Sequence, residues 1–262
     1  MYKLITLGCS FSKGEGCYNM DLLKSYNIKH HENLYTVAGC GGNREYFEYH
    51  KKFELENSIG KHIQDEFGFE EYYNYAHGGS SNQTQVLKFF NNIPIGDDVT
   101  VLWQITFNNR KVMIFNNGFE DMSLDSEWVK LYYKDLMTIE DEFEVNPIEY
   151  NERLELGMYI NIMNEYCKSR RWKLYTWFYP PNQYKPMLNI FPKFNDFIIP
   201  YNNFSIEELE SYKDITGDIH PNQFGYRKIA DGLIKTIRET YSEFPNPNET
   251  PIKWESIDRY IQ

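Results

Sequence analysis

Residues 4–7 form a short apolar run that stops at Gly8, and a turn rich in serine and glycine follows at once. A run of that length predicts a strand, and a strand ending on glycine delivers Cys9, Ser10 and Ser12 to the carboxyl edge of a sheet. Ser10 is expected there exposed and reactive. Residues 71–76 predict a second strand, and the turn at His77-Gly-Gly-Ser-Ser-Asn82 feeds a helix capped by Ser80 or Ser81. Its buried face would carry Val86, Leu87, Phe89 and Phe90. Residues 99–105 are almost continuously apolar, as a central parallel strand requires. Leu154, Met158, Ile162 and Tyr166 recur every four residues and predict a helix with a core-facing stripe. Residues 172–178 make a fourth strand, ended by Pro180 and Pro181, with a further short strand at 197–199. Ile229, Leu233, Ile237 and Tyr241 give a last helical stripe, and Pro221 suits its first turn.

Strands alternating with helices predict an α/β fold with a doubly wound, mainly parallel sheet. Two stretches are poorer in pattern. Residues 17–70 are polar, aromatic and weakly periodic, which predicts surface helix and loop. Residues 107–148 are acidic and show no clear strand period, as an insertion after the third strand would. That insertion suits equally a lid over a pocket, a solvated decoration or an oligomer contact. The expected organisation is one domain over 1–242 and a proline-punctuated tail over 243–262 packed on it.

With 41% hydrophobic residues, 262 residues suffice for one large domain with a buried core. No run approaches the roughly 18 apolar residues of a membrane span. The start of the chain superficially resembles a lipoprotein cleavage site, but its apolar stretch is shorter than the roughly 7 residues a signal peptide needs. A cytoplasmic or particle-associated setting is therefore expected, without a membrane partner. The 27 basic residues against 38 acidic ones leave a net charge of −11, which argues against a nucleic-acid partner. Cys9, Cys17, Cys40 and Cys167 contain no CxxC pair, so neither a zinc site nor a disulfide framework is expected. His31-Glu32 begins a zinc-protease motif that Tyr35 breaks at its second histidine position.

A serine hydroxyl becomes a useful nucleophile once a base takes its proton and a third group orients that base. His220, two residues after Asp218, supplies the base. Loops at the carboxyl edge of a doubly wound sheet converge, so the long gap in sequence is no obstacle. Ser10 would then attack, His220 act as general base and acid, and Asp218 hold the imidazole tautomer. Oxyanion donors would be the Ser10 backbone N–H, the N–H of Gly79, and a third at the end of the 99–105 strand, from Thr106, Asn108 or Asn109. Rival readings of the first turn fail. Lys13-Gly14 reverses the order a phosphate-binding loop needs, and Ser10-Phe-Ser-Lys13 has no Lys-Thr-Gly to complete a penicillin-binding set.

These residues carry a resemblance. Gly8-Cys-Ser-Phe-Ser12 resembles the first block of the SGNH (GDSL-like) hydrolases. Asn74-Tyr-Ala-His-Gly-Gly79 is similar to their second block, and Asp218-Ile-His-Pro to the fifth. The resemblance implies a three-layer, flavodoxin-like fold and metal-independent esterase, thioesterase or carbohydrate-deacetylase chemistry, with no cofactor. It matches Ser10, Gly79, Asp218 and His220 to the family's functional positions. Two departures stand out. The third block, Gly-x-Asn-Asp, is replaced by Trp103-Gln-Ile-Thr-Phe-Asn-Asn-Arg110, which leaves Asn108 or Thr106 as the third donor. The usual Asp-x-x-His is shortened to Asp-x-His, with Asp214 as the alternative acid. The expected activity is cleavage of a small acyl ester, such as a carbohydrate O-acetyl group, through an acyl-enzyme. The alternative is a catalytically degenerate binding or structural protein on the same fold.

Overall fold

A computed structural model describes residues 2–15, 17, 44–93, 96–106, 110–115, 118–123, 147–178, 188–200, 212 and 220–245. Strands β1 (Lys3–Leu7), β2 (Glu71–Asn74), β3 (Val99–Ile105) and β6 (Lys173–Phe178) form an all-parallel sheet in the order β2-β1-β3-β6. Two further strands, β4 (Arg110–Phe115) and β5 (Gly118–Ser123), form a separate antiparallel hairpin. The helices are α1 (Ser10–Lys13), α2 (Arg44–Glu56), α3 (Ile59–Phe67), α4 (Asn82–Asn91), α5 (Pro147–Ser169) and α6 (Gln223–Thr240). Beyond β6, Ile198 makes a parallel bridge to Thr176, a rudiment of a fifth strand where a short one was expected.

The sheet is the middle of three layers because its strands alternate between two buried faces. Leu4, Leu102, Tyr175 and Trp177 pack on one face with Ile63 and Phe67 of α3 and Ile229, Leu233 and Ile237 of α6. Ile5, Leu7, Val101, Trp103 and Ile105 pack on the other with Phe89 of α4 and Ile160, Met163 and Cys167 of α5. All seven residues of β3 are buried, as expected of a central strand. Caps set the helix ends. Ser58 accepts from the Lys61 N–H at the start of α3, Ser81 from Thr84 at α4, and Asn222 from Phe224 and Gly225 at α6. No helix among the described residues is long and apolar enough to cross a membrane.

Five expectations are corrected. In α5, Met158 and Ile162 are 64% and 46% exposed, and the core stripe is Leu156, Ile160, Met163 and Cys167 instead. Both sets have helical spacing, so periodicity alone does not say which apolar stripe meets the sheet. Leu87 of α4 is likewise exposed. The weakly patterned stretch 17–70 contains α3, whose Ile59, Ile63 and Phe67 are core residues. The stretch 107–148 contains the β4–β5 hairpin. Pro221 lies just before the helix cap, not within the first turn of α6.

Candidate active site

Gly8 ends β1 where a side chain could not fit: a Cβ there would lie 2.4 Å from Ser12 Oγ and 2.7 Å from Gln104 Oε1. The chain turns at once into α1, with Cys9 as cap and Ser10 as first residue. Gly14 closes the turn in the left-handed region at φ +95°. The Ser10 carbonyl accepts from the N–H groups of Gly14 and Glu15, both at 3.1 Å, and from the Tyr226 hydroxyl of α6 at 3.4 Å. Ser10 thus stands at the carboxyl edge of the sheet, as the sequence predicts, but it is only 3% exposed. The tight helical turn, with Phe11 and Ser12 also buried, encloses the residue that a loose turn would have displayed.

Gln104, near the end of β3, pins this turn. Its Oε1 accepts from the Ser12 hydroxyl at 2.8 Å, from the Ser12 N–H at 3.1 Å and from the Cys9 N–H at 3.3 Å. Its Nε2 is buried and has no hydrogen-bond partner among the described residues. From β2, Asn74 donates through Nδ2 to the Ser12 carbonyl at 3.4 Å. The loop after β2 is tied to the same strand end: the His77 N–H donates to the Gly8 carbonyl at 3.1 Å and the Ser80 hydroxyl to the same oxygen at 3.0 Å. Gly79 therefore lies on a loop fixed to the residue two before Ser10. It adopts φ +75°, and a Cβ on it would meet nothing within 4 Å, so this glycine borders open space.

At the end of β3, the Thr106 N–H donates to Asn82 Oδ1 at 2.9 Å and the Thr106 carbonyl accepts from Asn82 Nδ2 at 3.2 Å. Its backbone N–H is thus occupied, while its buried Oγ1 has no hydrogen-bond partner among the described residues. Asn108 and Asn109 lie outside the described residues, as do Asp218 and Asp214.

His220, just before α6, reaches the turn that begins with Ser10 from the far end of the chain. Its ring lies 5.3 Å from that of Phe11, the neighbour of Ser10, at an interplanar angle of 35°. His220 Nε2 is 3.8 Å from Glu15 Oε2, and no hydrogen bond joins it to Ser10 among the described residues. Glu15 is the centre of a charged row. Its Oε1 pairs with Lys13 Nζ at 2.7 Å, Lys13 lies 3.8 Å from Glu54 Oε2, and Glu54 Oε1 is 3.2 Å from His50 Nε2. Burial opposes the charge on Lys13, but Glu54 and Glu15 outweigh it and hold the ammonium above the ordinary lysine value. The Glu15 carboxylate also lies flush against Gly78, where a Cβ would come within 2.2 Å of Oε1. Burial pushes the Tyr226 phenol well above its ordinary range, so it remains the donor that holds Ser10 and Glu15 by their carbonyls.

Sequence reasoning did not single out Gln104 or Glu15. A glutamine inside the apolar run of β3 was the available signal for the first. Glu15 sits in a polar turn that offered none.

No protein-family model matches the chain, and no curated protein matches it. Solved structures do. A carbohydrate esterase, whose active site is described as showing divergent catalytic and non-catalytic binding functions, superimposes with a TM-score of 0.51 at 10% identity. That match covers 92% of this chain and 66% of the esterase. A G-D-S-L-family protein from Desulfitobacterium hafniense DCB-2 matches at 12% identity and a TM-score of 0.44, over 90% of this chain and 99% of its own. One from Veillonella parvula DSM 2008 matches at 10% identity and a TM-score of 0.41, over 93% and 100%. With its all-parallel β2-β1-β3-β6 sheet between two helical layers, the chain has the α/β fold of the SGNH, or GDSL-like, hydrolases.

Proposed function

We propose that the protein is a serine esterase acting on a small acyl ester, with Ser10 as nucleophile, His220 as general base and acid, and Asp218 as the group that orients the imidazole. The observation that carries this reading is the contact between the Phe11 and His220 rings, which brings the loop before α6 against the turn that begins with Ser10. Ser10 Oγ attacks the acyl carbonyl carbon as His220 Nε2 takes its proton. The resulting oxyanion is met by the N–H groups of Ser10 and Gly79 and by a third donor from Thr106 Oγ1 or Asn108. Collapse breaks the ester bond, and the alcohol leaves with the proton from His220. Water then attacks the acyl-serine by the same proton relay, releasing the carboxylic acid. The open space beside the Gly79 Cα among the described residues supports its role.

A carbohydrate O-acetyl group is the substrate of choice, and the esterase sharing this fold offers a precedent for carbohydrate as the alcohol. Hydrolysis of p-nitrophenyl acetate tests the reading. Turnover by the wild type that is lost in both Ser10→Ala and His220→Ala is expected. No turnover, or turnover unaffected by either change, would overturn it.

A second reading, a binding protein on the same fold, is favoured by one observation: His220 Nε2 lies 3.8 Å from Glu15 Oε2, and Ser10 is nearly enclosed. It predicts that carbohydrate ligands bind without being cleaved, equally in wild type and Ser10→Ala.

A further inference from the structure

We infer that Gln104 is the positioning residue of the nucleophile turn, the side chain that fixes where Ser10 stands. The inference rests on the esterase reading for its consequence in catalysis, but its structural content stands apart from it.

The turn after Gly8 must reverse the chain within a few residues and still satisfy its own donors. The first N–H groups of a helix have no partner inside it. Here the Cys9 N–H donates to Gln104 Oε1, the Ser12 N–H is shared between that oxygen and the Cys9 carbonyl, both at 3.1 Å, and the Ser12 hydroxyl bonds to Oε1 at 2.8 Å. The cap residue Cys9 makes no side-chain cap of its own, so a neighbouring strand performs that task. Gln104 is fully buried in β3, which is paired with β1 over Val99–Trp103 and with β6 over Thr100–Ile105, Gln104 itself opposite Trp177. A rigid strand therefore holds the acceptor, and the turn is shaped around it. Gly8 belongs to the same device, because a Cβ there would collide with both Gln104 Oε1 and Ser12 Oγ.

The carboxamide's other end shows what the residue is for. Its Nε2 is buried without a hydrogen-bond partner among the described residues, an arrangement that costs stability. The donors that meet Oε1, two N–H groups, the Ser12 hydroxyl and the Cys9 thiol at 3.6 Å, orient the amide. Displacing a nucleophile by about 1 Å can reduce a rate by roughly a hundredfold, so a fixed turn is a catalytic asset.

Two variants separate the acceptor from the bulk. Gln104→Glu keeps an oxygen facing the same donors; Gln104→Met keeps the length and removes it. Ile160→Ala, in the core on the opposite face of the sheet, serves as a destabilised control. Hydrogen exchange of residues 8–14 is read at a temperature where every variant is folded. Protection is expected to fall in Gln104→Met alone and to be retained in Gln104→Glu. In parallel, kcat on p-nitrophenyl acetate is expected to fall by roughly tenfold to a hundredfold in Gln104→Met with KM little changed, and to be rescued by Gln104→Glu. Equal exchange of residues 8–14 in Gln104→Met and wild type would overturn the inference, as would equal loss of kcat in Gln104→Met and Ile160→Ala. Retained exchange differences in a protein with no esterase turnover would refute the esterase reading and leave the positioning of the turn standing.

Discussion

The rings of Phe11 and His220 lie 5.3 Å apart and tilted by 35°, joining the first turn of the chain to the loop that enters its last helix. Tilted aromatic pairs at that separation contribute about 0.5–1.5 kcal/mol beyond simple burial. Phe11→Leu keeps a buried apolar side chain and removes the ring against which the imidazole rests. A fall in kcat/KM of a few-fold to roughly tenfold is expected, matching that energy, with little change in fold by circular dichroism. An unchanged kcat/KM would show that the ring does not steady His220.

Gly78 and Gly79 answer different questions although they are adjacent. Gly79→Ala places a methyl in open space at φ +75°, so the backbone penalty is about 1–2 kcal/mol and the methyl stands where an acyl group would approach. Esterase activity is expected to fall well beyond that loss of stability. Gly78→Ala instead pushes on the Glu15 carboxylate, the far end of a flexible side chain, and thermal melting is expected to move little. Activity assays beside melting curves for both variants check the pair.

His62 of α3 gives the protein a titration that lies away from the candidate site. Burial and the nearby Arg227 charge hold its imidazole below the ordinary value of 6.5, against the opposing pull of Asp231 and Asp65. The unfolded chain then binds a proton more readily than the folded one. Stability from this group is complete above pH 6.5 and is lost as pH falls through the lower folded value. Urea titrations across that window are expected to show a slope that His62→Gln reduces.

The two stripes of α5 can be told apart by truncation. Ile160 is fully buried, so Ile160→Ala is expected to destabilise by about 2–5 kcal/mol. Ile162 is 46% exposed, so Ile162→Ala should stay within about 0.5 kcal/mol. Denaturant midpoints decide it, and the reverse order would restore the stripe that spacing alone suggested.

That stripe illustrates what a sequence conveys here and what it withholds. β1, β3 and β6 were legible because buried parallel strands are nearly continuous apolar runs, and the stripe of α6 because its polar face is unambiguous. α5 carries apolar residues on more than one face, so its pattern fits two orientations and only the sheet selects between them. Ser10, Gly79 and His220 stood out as candidates through short motifs, and the Phe11–His220 contact brings two of those segments together. Gln104 and Glu15 were not, because each acts through contacts between distant segments: an oxygen offered to the turn after β1, and a carboxylate set between Lys13, Gly78 and His220. The enclosure of Ser10 was equally illegible, since it depends on the turn closing into a helix.

The central claim is that Ser10 is a nucleophile activated by His220. Labelling the protein with a fluorophosphonate and mapping the adduct by peptide mass spectrometry tests it most directly. The account predicts a stoichiometric adduct on Ser10 that disappears in Ser10→Ala and forms far more slowly in His220→Ala. An adduct on another serine, or no adduct on a folded protein, would contradict it.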